Sequence, residues 1–256
     1  TEAVEIQGTA YTKEVYADKN LYFNANGQLA VIEVTKPVYA DALEKAIAAY
    51  QKAYDLDASH SKSKDIAAAF DLIGQKYNTE AYNKYTLGDL ASASKYFEKA
   101  AEVEALAPLS KIDTTSIYNA GFTAWATKDM SKAKELFEKC YNLGYYYEGG
   151  EVFAKLADVD TLNTKKYLEE GFEKFPQSQS ILIGLINYYL KSNESTDRLF
   201  ELLDKAKANE PNNASLFYVE GNIRSQLGDT ENAVKAYRKC AEINPEYEYG
   251  FIGEGT

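Results

Sequence analysis

Small and aromatic residues recur at intervals of four and then three along most of this 256-residue chain. Ala46, Tyr50 and Ala53 form one such set, followed by Ala93, Phe97 and Ala100, then Ala133, Phe137 and Cys140, and finally Ala233, Tyr237 and Cys240. These spacings hold the three residues of a set on one face of an α-helix. Small side chains there let a neighbouring helix approach closely, and the aromatic ring fills the remaining gap. The apolar periodicity around each set predicts helices and gives no sustained alternation of the kind that marks a sheet.

The stops between the helices are regular. Pro176, Pro211 and Pro245 each end a helical stretch, and they lie 35 and 34 residues apart. The clearest unit, ASLFYVEGNIRSQLGDTENAVKAYRKCAEINPEY from Ala214, predicts a helix over 213–227, a turn at Gly228-Asp229 and a second helix over 230–243. Thr230 is the expected N-cap of that second helix, and Asn244-Pro245 closes it. Six helix pairs follow for the whole chain: 18–34 with 39–57, 64–87 with 90–106, 114–127 with 130–143, 147–158 with 161–175, 179–192 with 195–209, and 213–227 with 230–243. A period of this length marks stacked helical repeats. The domain organisation expected is divergent N-terminal helices with the first pair (1–57), residues 1–17 being the remnant of a preceding helix, then tandem repeats (58–245) and a tail (246–256) that folds over the last pair or begins a further helix.

The pattern resembles the tetratricopeptide repeat family, and in particular its multi-repeat members from Bacteroidetes. Gly121 and Gly221 match the family's small residue in the first helix of a pair, and Phe23 and Phe217 match its bulky aromatic near that helix's start. Two positions depart from it: Glu220 stands where the family usually has Leu, and Arg224 where it often has Tyr. The resemblance implies an all-α, right-handed superhelical solenoid of antiparallel helix pairs. It implies a non-catalytic scaffold or adaptor that binds a protein or peptide segment on its concave surface, with carbohydrate or small-ligand binding at a bacterial envelope as the alternative. It also implies a periplasmic or otherwise extracytoplasmic location, with the cytoplasm as the alternative; a chain beginning at Thr1 leaves room for a removed secretion signal.

Charge and chemistry narrow the reading further. A net charge of −11 disfavours nucleic acid and anionic lipid as partners, because bringing this surface to phosphates costs repulsion. No apolar run is long enough to cross a bilayer, so no membrane insertion is expected. The one histidine, His60, sits in a polar Ser-His-Ser loop with no second ligand or triad partner near it in sequence. No phosphate-loop, dinucleotide, nucleophile-elbow or zincin motif is present, and Gly144 to Gly150 (GYYYEGG) reads as an aromatic turn between repeats. No catalytic residue, cofactor or metal is therefore expected. Cys140 and Cys240 occupy equivalent small-residue slots of separate repeats and are expected as free core residues. Paired carboxylates such as Glu102 and Glu104 fall on amphipathic helices, where solvated faces are expected. The sequons at Asn193 and Asn213 are short motifs without bearing on the compartment.

The informative chemistry is aromatic. By the resemblance, the groove-facing positions of the first helices are Tyr82 and Tyr85, then Tyr118, Phe122 and Trp125, then Phe153, Tyr188, Tyr218 and Asn222. Aromatic rings bring large contact area with few rotatable bonds, which suits an interface. The same rings could equally pack between repeats. The basic clamp by which relatives hold chaperone C-termini has only Asn222 to represent it here, which disfavours that partner class.

Overall fold

The computed structural model describes residues 1–192 and 195–245. The expected tail at 246–256 and the sequon at Asn193 lie outside them. Eleven α-helices follow four N-terminal strands among the described residues, and the chain divides into two compact units, Thr1–Tyr145 and Tyr146–Thr256. The division falls inside the GYYYEGG segment.

The first unit begins with an antiparallel meander in the order β1 (Glu2–Ile6), β2 (Thr9–Val15), β3 (Lys19–Phe23), β4 (Leu29–Val34). This corrects the helices expected over 1–17 and 18–34, and with them the placing of Phe23 in a first repeat helix: Phe23 lies in β3 opposite Leu29. The turns explain the strands. Gln7 and Gly8 both have positive φ (50° and 77°), as a two-residue hairpin turn with the right twist requires. At the β3–β4 turn, the Asn24 side-chain oxygen accepts from the backbone N–H groups of Asn26 and Gln28, and Gly27 takes the left-handed conformation. The buried residues of this sheet are Tyr22 and Val31, which face each other across β3 and β4.

The meander is fastened to the long helix α2 (Ser63–Thr86) at two points. Gln7 donates to the terminal carbonyls of Tyr85 (2.7 Å) and Thr86 (3.3 Å), and Asn83 donates to the Ile32 carbonyl on the open edge of β4 (3.2 Å). The Gln7 amide thus supplements the Gly88 N–H that already closes on the Tyr85 carbonyl at this helix end.

Helix α1 (Ala42–Leu56) has no fully buried residue. Its Leu43, Ala46, Ile47 and Tyr54 cover a core made by Ile66, Phe70, Ile73 and Tyr77 of α2 with Ala100 and Val103 of α3 (Leu90–Glu104). Helices α4 (Thr114–Ala126) and α5 (Met130–Asn142) continue the unit, each helix packing on the one before it. The second unit carries α6 (Glu151–Val159), α7 (Thr164–Lys174), α8 (Gln179–Lys191), α9 (Asp197–Asn209), α10 (Ala214–Gln226) and α11 (Thr230–Ile243), again packed in series. From α2 onward the expected helices are present within a few residues of their expected ends.

Local capping repeats with the helices. Asp89, Asp113, Asp129 and Asp229 each accept from the backbone N–H three residues on, so the cap of α11 is Asp229 and Thr230 is its first helical residue. Gly88, Lys128 and Gly228 precede three of these caps with φ of 81°, 67° and 78°. Both cysteines are free and buried.

Candidate functional site

Helix α4 sets the aromatic surface of the first unit. Asp113 starts it, and it ends in a left-handed Lys128 whose N–H reaches the Trp125 carbonyl while that of Asp129 reaches Ala124. Tyr118, Phe122 and Trp125 stand at i, i+4 and i+7 on this helix and form one run of rings. Tyr118 and Phe122 are 6.4 Å apart with planes 24° from parallel, and Phe122 and Trp125 are 5.9 Å apart at 36°. The Lys128 ammonium lies 5.6 Å from the Trp125 ring. The three rings do different work. Tyr118 is buried and also packs on Phe137 (5.9 Å) and Tyr145 (6.5 Å), whereas Phe122 and Trp125 are only partly covered.

Tyr82 and Tyr85 on α2 are the exposed members, at 52% and 38%. The Tyr82 ring meets Phe97 edge-on at 5.0 Å, and its hydroxyl accepts from Asn119 of α4 at 3.1 Å. Asn119 therefore ties Tyr82 to helix α4. The helical step that puts Asn119 between Tyr118 and Phe122 is readable in the sequence, but its bond to Tyr82 requires knowing which helices are neighbours.

In the second unit the expected residues separate. Phe153, expected on the groove, is fully buried. It stacks on Tyr146 (4.8 Å), and a Cβ on Gly171 would sit 2.7 Å from its own Cβ, so it fills the space between α6 and α7. One position along α6, Ala154 lines a cavity of about 450 Å³ together with Ala157, Leu168, Gly184 and Tyr188. Of the expected site residues in this unit, Tyr188 borders that cavity, edge-on to Tyr189 at 5.4 Å. The small residues Ala154, Ala157 and Gly184 have no aromatic or charged group that would mark a cavity wall in the sequence. Tyr218 and Asn222 are joined through α11: Tyr218 packs on Tyr237 at 6.0 Å, and Tyr237 donates its hydroxyl to the Asn222 oxygen at 2.8 Å. Burial, with Tyr218 beside it, pushes the Tyr237 phenol up.

The two departures noted at Glu220 and Arg224 prove to be partners. The buried Glu220 accepts from Arg224 Nε at 2.8 Å and from Lys207 Nζ at 2.6 Å; Arg224 also reaches Asp229 at 2.9 Å and lies over the Phe200 ring at 4.4 Å. Burial pulls the Lys207 ammonium down, but its bonds to Asp204 and Glu220 more than reverse this and leave it raised. A charged network thus occupies positions that the family fills with apolar side chains.

The groups with nucleophilic potential are spread out. Burial pushes the Cys140 thiol up to about 12, far from a reactive thiolate. His60 stands in an exposed turn with its ring 5.3 Å from that of Tyr54. Among the described residues, no group of three or more His, Cys, Asp or Glu is placed to hold a metal ion, and no helix is long and apolar enough to cross a membrane.

Residues 114–144 and 214–247, which are α4 with α5 and α10 with α11, match the tetratricopeptide repeat family. Those two helix pairs match tetratricopeptide repeats. It is 23% identical over 187 residues to a TPR repeat-containing protein of Methanocaldococcus jannaschii, a match that covers 65% of this chain and 33% of that protein. Among solved structures it is similar to YrrB, described as a TPR protein with an unusual peptide-binding site (20% identity, TM-score 0.43, 82% of this chain and all of that one). It is also similar to pilF of Pseudomonas aeruginosa (14% identity, TM-score 0.43, 84% of this chain and 99% of that one). Proteins built on these repeats act as interaction scaffolds.

Proposed function

We propose that this protein is a non-catalytic scaffold that binds a protein or peptide segment on the aromatic surface of α2 and α4. One observation supports the reading: Phe122 and Trp125 form a tilted, partly exposed pair of rings on a helix whose opposite face is buried, and Asn119 of the same helix donates to the exposed Tyr82. Rings held by their neighbours lose little freedom on binding, so their contact area converts efficiently into affinity. The surplus of carboxylates favours a neutral or basic partner over an acidic one.

The test uses the chain and its Phe122→Ala, Trp125→Ala double variant as paired baits. A partner retained by the first and lost by the second, with unchanged far-ultraviolet circular dichroism, supports the surface as a binding site. A partner retained equally by both removes it.

The cavity beside Tyr188 favours a second reading, binding of a carbohydrate or small ligand. Its volume of about 450 Å³ lies within the range of small-molecule sites, and a partly buried ring borders it. A saccharide panel titrated against the wild type and Tyr188→Ala separates the readings, since the peptide surface on α2 and α4 is untouched by that change.

A further inference from the structure

The densest unassigned constellation is in the first unit, away from the α4 rings. A cavity of about 270 Å³ opens between β4, α1 and α2. Tyr39, Tyr77 and Tyr96 line it together with Glu33, Glu44 and Glu80, and Leu43 and Ile32 add apolar wall. Lys84 is the cation on the wall, and it lies 3.8 Å from Asp89.

Two of these groups have acceptor capacity that the protein leaves unused. Tyr77 is 1% exposed and no hydrogen bond within 3.5 Å closes on its hydroxyl; burial and the nearby Glu44 carboxylate hold its phenol well above the ordinary range, and Glu44 can engage only its proton, leaving the oxygen's acceptor side unused. Such a group is ordinarily satisfied, because an orphaned buried hydroxyl costs free energy with no return. Glu80 is half-buried and no salt bridge reaches it; Lys76 and Lys84, one turn away on either side, act only at longer range. Burial accordingly holds the Glu80 carboxyl above its ordinary range. The other two carboxylates are more committed. Glu33 accepts from Asn20 and Tyr22 at 2.8 Å each, and Glu44 pairs with Lys99 at 3.7 Å, whose ammonium also lies 5.8 Å from the Tyr77 ring.

The missing complement is a group with several donors, positive charge and no acceptor. An ammonium fits: it presents three N–H donors and nothing that would clash with a carboxylate. Tyrosine rings around it add attraction through their faces. The volume admits a side chain on an alkyl stem, and a neighbouring cavity of about 420 Å³ that shares Glu80, Asn83, Ile32 and Leu43 leaves room for what the stem is attached to.

We infer that the cavity between β4, α1 and α2 is an alkylammonium site, in which Glu80 pairs with the charge, the Tyr77 hydroxyl accepts one N–H, and Leu43, Ile32 and Tyr96 hold the stem. The alkylammonium comes either from a lysine side chain of a bound partner or from a free small amine. The site needs the N-terminal meander, since β4 supplies one wall. It is independent of the aromatic surface on α4.

Saturation-transfer NMR with the full chain at pH 7.5 tests it, using n-butylammonium, Nα-acetyl-lysine N-methylamide and, as the uncharged control, n-butanol. Saturable binding of n-butylammonium is expected, with n-butanol at least tenfold weaker. Glu80→Gln should weaken it about tenfold and Tyr77→Phe by a smaller factor, both with unchanged circular dichroism. Glu44→Gln serves as a second variant and should weaken it less than Glu80→Gln. If the blocked lysine binds as well as n-butylammonium, the source is a partner's side chain; if only the small amine binds, it is a free amine. No saturable binding of either amine, equal binding of n-butanol, or full affinity in Glu80→Gln overturns the assignment.

Discussion

The ring of Tyr237 lies so close to Gly221 that a Cβ at that glycine would sit 2.5 Å from Cε1. Gly121 meets Phe137 in the same way sixteen residues on, but its Cβ would stand 3.0 Å from the ring. Both glycines sit inside first helices, where alanine is intrinsically better by roughly 1 kcal/mol. Overpacking opposes that gain and costs about 1–3 kcal/mol when the neighbour cannot yield. Gly221→Ala should therefore lower stability by about 1–2 kcal/mol, and Gly121→Ala should be close to neutral. Urea denaturation of the two variants checks the order; equal effects would mean that ring contact does not decide the choice of glycine.

Glu220 and Arg224 replace two apolar positions by one charged pair, and this predicts strong coupling between them. Glu220→Leu leaves Lys207 with Asp204 alone and Arg224 with Asp229 alone, and Arg224→Tyr leaves Glu220 with Lys207 alone. Each change alone should cost about 2 kcal/mol, the figure for a buried pair reduced for partial exposure. The double variant restores the family's apolar pair and should be closer to wild type than either single one. A double-mutant cycle in denaturant measures this, and simple additivity would show that the pair is incidental.

The helical part of this architecture was readable because the repeats carry local signals: a small residue with a ring four positions on in four of the helices, and proline stops after three. The N-terminal meander was not. Its alternation is weak, with few buried side chains such as Tyr22 and Val31, so an expectation of helical repeats carried over into 18–34. The turn signals at Gln7-Gly8 and Asn26-Gly27 were there to be used. The candidate site divides the same way. Tyr82, Phe122 and Trp125 came from the groove positions that the resemblance implies and lie at least partly exposed, but a one-residue step around α6 decided that Ala154 lines a cavity while Phe153 is buried. Spacing alone does not resolve a rotation that small. The Tyr77 and Glu80 cavity was beyond reach because it depends on strands that were not expected.

Glu80 makes stability depend on pH in an unusual direction. A carboxyl whose folded pKa is raised by burial is destabilising when charged, so its penalty is present above the folded pKa and disappears below the ordinary value of 4.5. Glu80→Gln removes the charge at every pH. The variant should be more stable than wild type at pH 7, and the difference should shrink to nothing as the pH falls through the raised pKa to below 4.5. Melting temperatures of both proteins between pH 4 and pH 8 read this directly; a constant difference would assign the effect to packing.

Lys128 occupies the left-handed position that Gly88 and Gly228 fill before the equivalent caps. A side chain there crowds its own backbone and costs about 1 kcal/mol relative to glycine. Lys128→Gly removes that strain, but also the contact of the ammonium with Trp125, so the fair reference is Lys128→Ala, which loses the same contact and keeps the strain. The glycine variant should exceed the alanine variant by about 1 kcal/mol. The reciprocal change at Gly228, where a Cβ would meet nothing within 4 Å, isolates the backbone cost, so Gly228→Ala should lose about the same amount. Denaturant midpoints of the three variants check both halves. A stable Gly228→Ala would mean that the turn before Asp229 has another conformation open to it, and the comparison at Lys128 would then measure only the lost contact with Trp125.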